Sequence, residues 1–344
     1  MSTFLSWKDP QHGHVKPQMQ AKKELDEFLQ TNLANKIIES TVPSICTKES
    51  CILGIDEAGR GPVLGPMVYA IAYYPRSEEA VLSTLKFADS KELTEASREK
   101  LFESLQTSEN GFRDLGYISK VISPNMISNS MLRRKKYNLN ALSHDTAIDL
   151  IKRVELKGIK IGHIYIDTVG PAAKYKEKLE KFFPNYVFTV AEKADSKYPI
   201  VSAASVCAKV KRDRIVKNWV YLEGKSLLLD TFNLGSGYPA DPETKQFLSD
   251  CIDPVFGFPT LARFSWSTIT KALEKGACKC DFNEPKDDGE DPNQLTKRQN
   301  NFKKFFQKKP VQSPARTSNT VRKNRTNADV FLESLSISRV VSLT

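Results

Sequence analysis

Between residues 50 and about 276, short runs rich in β-branched and aromatic residues alternate with longer runs of helical period, and this rhythm restricts the fold more than any other feature of the chain. The strand-like runs are CILGID (51–56), MVYAIAYY (67–74), HIYID (163–167) and YVFTVA (186–191). Helix-like runs lie near 95–107, 139–157, 172–183, 200–223 and 241–252. Strands separated by helices build a partly parallel sheet with helices packed on it, which is an α/β domain. A single domain over 49–276 accounts for the alternation.

The flanks read differently. Residues 1–48 form an extension with a helix-like stretch, in which Leu25, Phe28, Leu29, Leu33 and Ile37 recur at helical spacing. Residues 277–329 are acidic, then basic and rich in Asn, Ser and Thr; they lack the apolar periodicity to build a core and are expected to be disordered. Residues 330–344 regain enough Val, Phe, Leu and Ile to act as a docking segment. The chain carries 51 basic and 41 acidic residues, a net charge of +10. Ten basic residues and no acid fall between Lys297 and Arg325, so the remainder is formally neutral, and a grip on nucleic acid in the folded part has to come from local arrangement. The longest apolar stretch, 63–74, contains Gly65 and Pro66 and is shorter than the roughly 20 residues a bilayer span needs, so no membrane segment is expected. With no secretory leader pattern at the N-terminus, the six cysteines read as reduced intracellular thiols.

The run Gly54-Ile55-Asp56-Glu57-Ala58-Gly59-Arg60-Gly61-Pro62 places two carboxylates at the end of an apolar strand and a Gly-Arg-Gly turn directly after them. Side chains alternate along a strand, so both acids face one site only if the strand ends there and the chain bends. Gly59 and Gly61 permit the bend and the close approach of backbone amides to a ligand. A hairpin turn with solvated charges is the other reading of the same pattern. Asp167 ends HIYID, and Asp195 follows YVFTVAEKA ahead of the helix that opens near Pro199. Each alone is a common turn or cap residue. Strand ends are where open α/β sheets bind ligands, so as a set the four acids point to one site. Four carboxylates without a histidine partner suit Mg²⁺ or Mn²⁺ rather than zinc, and the four histidines stand at no ligand spacing. Two such ions support phosphodiester hydrolysis.

These runs, with ADSK at 88–91, KYNLNALSHDTA at 136–147, KADSKYPIVSAASVCAKVKRD at 193–213, GSGYP at 235–239, PVFGFP near 254 and RFSW near 263, closely resemble type 2 ribonuclease H, and more narrowly the catalytic A subunit of the eukaryotic heterotrimeric enzyme. The resemblance spans roughly 50–270. It implies a ribonuclease H-like mixed sheet flanked by helices, with a smaller helical C-terminal portion. It also implies hydrolysis of the RNA strand of RNA–DNA hybrids and incision 5′ of single ribonucleotides in duplex DNA, giving 3′-hydroxyl and 5′-phosphate ends. The family's metal-binding acids fall on Asp56, Glu57, Asp167 and Asp195, with two Mg²⁺ or Mn²⁺ ions expected. By the same likeness Gly59, Arg60 and Gly61 read the ribose 2′-hydroxyl through the backbone, a group that distinguishes RNA from DNA. Tyr238 matches the tyrosine that stacks on the next deoxynucleotide, and is otherwise a core tyrosine. Lys91, Lys209 and Arg212 are candidate phosphate contacts; a solvated basic face is the plainer meaning of that pattern. His144 reads as a hydrogen-bonded helix residue rather than a catalyst.

The resemblance implies two smaller partner subunits. In the tail, Gln299, Phe302, Phe305 and Phe306 have the form of the box that binds the sliding clamp, PCNA; a basic, aromatic segment that touches nucleic acid is the alternative. The basic tract also suits nuclear import. A non-enzymatic adaptor on an inherited fold would need one of the four acids lost, and none is. Another carboxylate metallonuclease, such as a 3′-exonuclease, would shorten substrates from their ends.

Overall fold

The computed structural model describes residues 25–85, 87, 93–107, 111–135, 137–223 and 233–279. Lys91, the tail box and the segments 280–329 and 330–344 lie outside them. The described chain runs from a helix α1 (25–31) through β1 (Lys36–Glu39), β2 (Cys51–Ala58) and β3 (Met67–Pro75) to α2 (Glu79–Thr84) and α3 (Glu95–Thr107). Then come β4 (Gly116–Ile122), α4 (Pro124–Leu132), α5 (Leu139–Leu156), β5 (Ile161–Asp167), α6 (Ala172–Phe182) and β6 (Val187–Ala191). The short α7 (Ala194–Lys197), the long α8 (Pro199–Lys217), α9 (Pro242–Asp250) and α10 (Ser267–Gly276) complete it. Among these helices none is long and apolar enough to cross a membrane.

The six strands form one mixed sheet in the order β1-β4-β3-β2-β5-β6. The first four strands in that order pair antiparallel, while β2–β5 and β5–β6 pair parallel. Helices cover both faces, as the ribonuclease H-like class requires, and α9 and α10 supply the helical C-terminal portion. Residues 25–48, read from sequence as an extension with a helix, also contribute β1 to the sheet, and Phe28, Leu29 and Ile38 are buried in its core.

Along β2 the alternation decides what each face receives. Leu53 and Ile55 enter the core beneath α5 and α6, whereas Ile52 joins the core under α8. Gly54 shares that second face, and a Cβ there would lie 2.3 Å from the Ile200 carbonyl oxygen. Glycine is therefore what lets the first turn of α8 rest on the central strand. Asp56, two residues on, lies on the same face.

The helical runs near 95–107, 139–157, 172–183 and 241–252 fold as α3, α5, α6 and α9; α8 stops at Lys217, short of the expected 223. Sequence reading missed β4 and β1. In β4, GYISKVI, Ser119 and Lys120 interrupt the apolar run, yet Ser119 is wholly buried between flanking strands. It also missed α4, although Ser123 caps it by accepting from the Met126 amide at 3.1 Å with Pro124 in the first turn.

Candidate active site

β2 runs straight through both acids to Ala58, paired with β3 as far as Val68. This corrects the expectation that the strand ends at Asp56 and Glu57; the pairing energy of two further residues outweighs the bend, which comes at Gly59. The two carboxylates consequently leave opposite faces, Asp56 toward α8 and Glu57 toward Tyr69 and Tyr175, yet at the sheet end they stay close enough for the charges of Asp56 and Asp167 to act on Glu57. β5 lies parallel to β2 with Ile55 opposite Ile166, which sets Asp167 next to Asp56 one residue further along. β6 ends beside it, with Ala191 opposite Asp167. The chain then reverses through Lys193, whose φ of 52° lies in the left-handed region, and enters α7 with Asp195. Asp167 Oδ1 accepts from the Ala194 amide at 2.8 Å, tying the start of α7 to the end of β5.

Asp56 is the hub of the four acids. It is 5% exposed, and its carboxyl is pushed up to about 7, first by burial and then by the charges of Asp167 and Asp195. The Ser205 hydroxyl and the Glu57 amide, 2.7 Å from Oδ1, partly offset this. Glu57 is pushed up to about 8 by burial and by Asp56 and Asp167, against which Arg60 and Tyr69 act. The Tyr69 hydroxyl comes near enough to ease that charge without a well-formed hydrogen bond. Glu57 Oε2 is buried with no hydrogen-bond partner. Among the described residues, no three acid, histidine or cysteine side chains are drawn in tightly enough to enclose an ion as they stand. Asp56 and Asp167 each spend an oxygen on a backbone amide instead. The donor set is nonetheless all oxygen, with Asp56 and Glu57 held in favour of their protonated forms and Glu57 Oε2 short of a partner, and it fits a hard divalent cation that would take the place of those protons.

The turn beyond Ala58 is held from behind. Gly59 has φ +77°, and a Cβ on it would come within 2.3 Å of Arg212 Nε. Arg263, wholly buried, donates to the carbonyls of Gly65 at 2.8 Å, Arg60 at 3.1 Å and Gly59 at 2.5 Å. Trp266 Nε1 donates to Gly61 at 3.1 Å. All three carbonyls of the Gly-Arg-Gly turn are thus taken by the C-terminal portion. Burial, then Arg212, holds the Arg263 guanidinium down to about 9. Arg60 donates through Nη2 to Asn140 Oδ1.

In front of the turn opens a cleft of about 450 Å³ lined by Glu57 to Gly61, Arg98, Lys209, Arg212, Asp213 and Tyr238. Tyr238 is half exposed and not in the core, and a Cβ on Gly61 would lie 3.0 Å from its ring. The cleft thus gathers Glu57, Gly59, Arg60, Gly61, Lys209, Arg212 and Tyr238, whereas Asp56, Asp167 and Asp195 do not line it. His144 stacks on Tyr175 at 3.8 Å and its Nε2 pairs with the Val169 carbonyl at 2.9 Å, which steadies the loop after Asp167. Sequence reading passed over Arg98, Asp213 and Arg263. For Arg263 a signal existed, since it is a lone cation in the apolar run FGFPTLARFSW.

A mixed sheet carrying acids at the ends of adjacent strands, beside a glycine turn in a basic cleft, defines a nuclease of the ribonuclease H-like class. The family model described as Ribonuclease HII matches residues 53–269. The ribonuclease H2 A subunit of Bos taurus is 52% identical over 254 residues, covering 74% of this chain and 83% of that protein. Its namesake from Arabidopsis thaliana is 49% identical over 245 residues, covering 70% of this chain and 80% of its own length. The crystal structure of ribonuclease H2 from Pyrococcus horikoshii OT3 superposes with a TM-score of 0.54 at 32% identity, over 65% of this chain and 98% of that one. The chain belongs to the ribonuclease HII family: it is the catalytic chain of a type 2 ribonuclease H and hydrolyses RNA–DNA hybrids.

Proposed function

We propose that the chain is an endonuclease that cuts the RNA strand of hybrids and also incises 5′ of a single ribonucleotide embedded in duplex DNA, leaving 3′-hydroxyl and 5′-phosphate ends. The observation that carries this reading is the convergence at the sheet end of Asp56 and Glu57 on β2, Asp167 at the end of the neighbouring β5 and Asp195 in the first turn of α7, which Asp167 ties down through the Ala194 amide. Asp56, Glu57, Asp167 and Asp195 would hold two Mg²⁺ or Mn²⁺ ions, which when bound supply the acidity that makes a water nucleophilic and positive charge for the leaving oxygen.

The chain's own residues do the selecting. With the carbonyls of Gly59, Arg60 and Gly61 tied back by Arg263 and Trp266, the turn offers its amides to the 2′-hydroxyl. Tyr238, half exposed at one end of the turn, takes the sugar of the following deoxynucleotide. Lys209 and Arg212, with Lys91, take phosphates. Two smaller subunits complete the assembly, the box at Gln299, Phe302, Phe305 and Phe306 engages a sliding clamp, and the enzyme works in the nucleus in ribonucleotide removal during replication and repair.

The test is a labelled duplex with one embedded ribonucleotide. The expected product is a single nick on its 5′ side that needs Mg²⁺ or Mn²⁺ and disappears with chelator. Progressive shortening from an end, or cleavage indifferent to chelator, would overturn the reading.

A further inference from the structure

The Gly59–Gly61 turn has Tyr238 against one end and Arg212 against the other, and beyond Arg212 the cleft wall carries charges that the proposed reaction leaves unused. There α3 meets α8. Arg98 Nη2 stands 3.4 Å from Asp213 Oδ2, and Arg212 Nη1 stands 3.7 Å from Asp213 Oδ1. Both distances exceed the roughly 2.7–2.9 Å of a good charge-assisted bond. Arg98 Nη1 is anchored on the Leu93 carbonyl at 2.7 Å, which aims the rest of its guanidinium at Asp213. Arg98 and Arg212 each keep a buried Nε–H with no hydrogen-bond partner. One carboxylate therefore serves two guanidinium forks poorly, in a cleft whose lining holds four cations, Arg60, Arg98, Lys209 and Arg212, against two acids, Glu57 and Asp213.

Buried donors left without acceptors are costly, and a ligand that brings several anionic oxygens relieves that cost. A phosphodiester does so, because its two non-bridging oxygens match guanidinium forks in bidentate geometry. We propose that Arg98 joins Arg212 in gripping one backbone phosphate of the bound nucleic acid, and that Asp213 is the resident competitor for the same two guanidiniums. Asp213 holds the forks in place when the cleft is empty and weakens the grip when it is filled, which favours release of the nicked duplex. The inference rests on the reading of the cleft as a nucleic-acid site.

Opposite signs provide the test. In the assembly that the full-length chain forms in its own cells, KM, kcat and the salt dependence of KM are measured on an RNA–DNA hybrid for wild type, Arg98→Gln, Arg98→Lys and Asp213→Asn, with melting temperatures alongside. Arg98→Gln is expected to raise KM about tenfold, the worth of one charge-assisted hydrogen bond, and to flatten the salt slope by about one unit. Arg98→Lys should restore the slope but only part of the KM. Asp213→Asn should lower KM several-fold and lower kcat if release limits turnover. A merely structural link between α3 and α8 would move both variants the same way, in step with their melting temperatures. That outcome, or an unchanged KM in both, overturns the inference. Wild-type protein that neither binds nor cuts the hybrid would instead sink the reading on which it rests.

Discussion

Arg263→Lys isolates what the buried guanidinium does for the turn, because it keeps the charge and nearly the length while removing the fork. Arg263 serves three carbonyls, those of Gly59, Arg60 and Gly65, which are too far spread for one ammonium group. A lysine head can keep one. Two bonds from a charged donor are lost, at about 1.5–3 kcal/mol each before relaxation. The carbonyls of Gly59 and Arg60 border the cleft and recover part of that from water, so the net loss should be about 2–4 kcal/mol. At about 2–4 °C per kcal/mol for a domain of this size, the melting temperature should fall by roughly 4–16 °C. The functional consequence is separable from stability. At a temperature where the variant is fully folded, the loosened turn should lower kcat/KM on a single embedded ribonucleotide more than it weakens binding of a continuous hybrid. A variant melting within about 1 °C of wild type, well under the ~4 °C floor of that range, with unchanged nicking of the embedded ribonucleotide, would refute the claim that Arg263 sets the turn.

Asp167→Asn should lower cleavage by at least about a hundredfold while leaving hybrid affinity within a few-fold, since the lost term is stabilisation of charge in the transition state; parallel loss of binding and cleavage would argue against this role. Asp56 and Glu57 are held near 7 and 8, above their ordinary values of 3.8 and 4.5, so the folded metal-free protein retains protons that the unfolded chain releases. Its stability should therefore decline as pH rises from about 5 through 8, and the melting-temperature gain from added Mg²⁺ or Mn²⁺ should be larger at about pH 8 than at about pH 6. A gain independent of pH would contradict the buried, proton-loaded cluster. Gly54→Ala places a methyl 2.3 Å from the Ile200 carbonyl oxygen and 2.6 Å from the Val201 amide nitrogen, both backbone, so α8 must withdraw. The expected cost is about 1–3 kcal/mol. Cleavage should fall beyond what instability explains, because Ser205 on α8 leaves Asp56; chemical denaturation and single-turnover cleavage measure the two.

What the sequence reveals of this site is whatever obeys a local rule. An acid at the end of an apolar run before a glycine turn is visible because strands terminate and turns have chemistry, and Asp56 and Asp167 are legible on that ground; Asp195 is legible as an acid between a strand and the helix that follows. The same rule misleads by two residues at Asp56 and Glu57, since cross-strand pairing with β3 carries β2 on to Ala58. Strand β4 escapes because its burial is settled by neighbours on both sides and not by its own alternation, so a wholly buried Ser119 looks like a loop residue. Arg98 and Asp213 lie 115 residues apart, and Arg263 lies about 200 residues from the turn it supports. No period or spacing links such pairs, and an arginine by itself reads as surface.

This difference bears on how the enzyme is built. The acids that would hold metal come from the sheet and are locally encoded, whereas the turn proposed to read the ribose depends on α10's approach segment, where Arg263 and Trp266 hold every carbonyl of Gly59, Arg60 and Gly61. On the proposed reading, the helical C-terminal portion is part of the selective machinery and not an appendage to it. Changes confined to residues 261–266 should therefore alter which substrates are cut before they alter the capacity to cut. Comparing the ratio of embedded-ribonucleotide to continuous-hybrid cleavage for Trp266→Phe, which removes the Gly61 bond and trims the ring over which the Arg263 guanidinium sits, against Asp167→Asn puts this separation to measurement: the ratio should fall in the first variant and hold in the second.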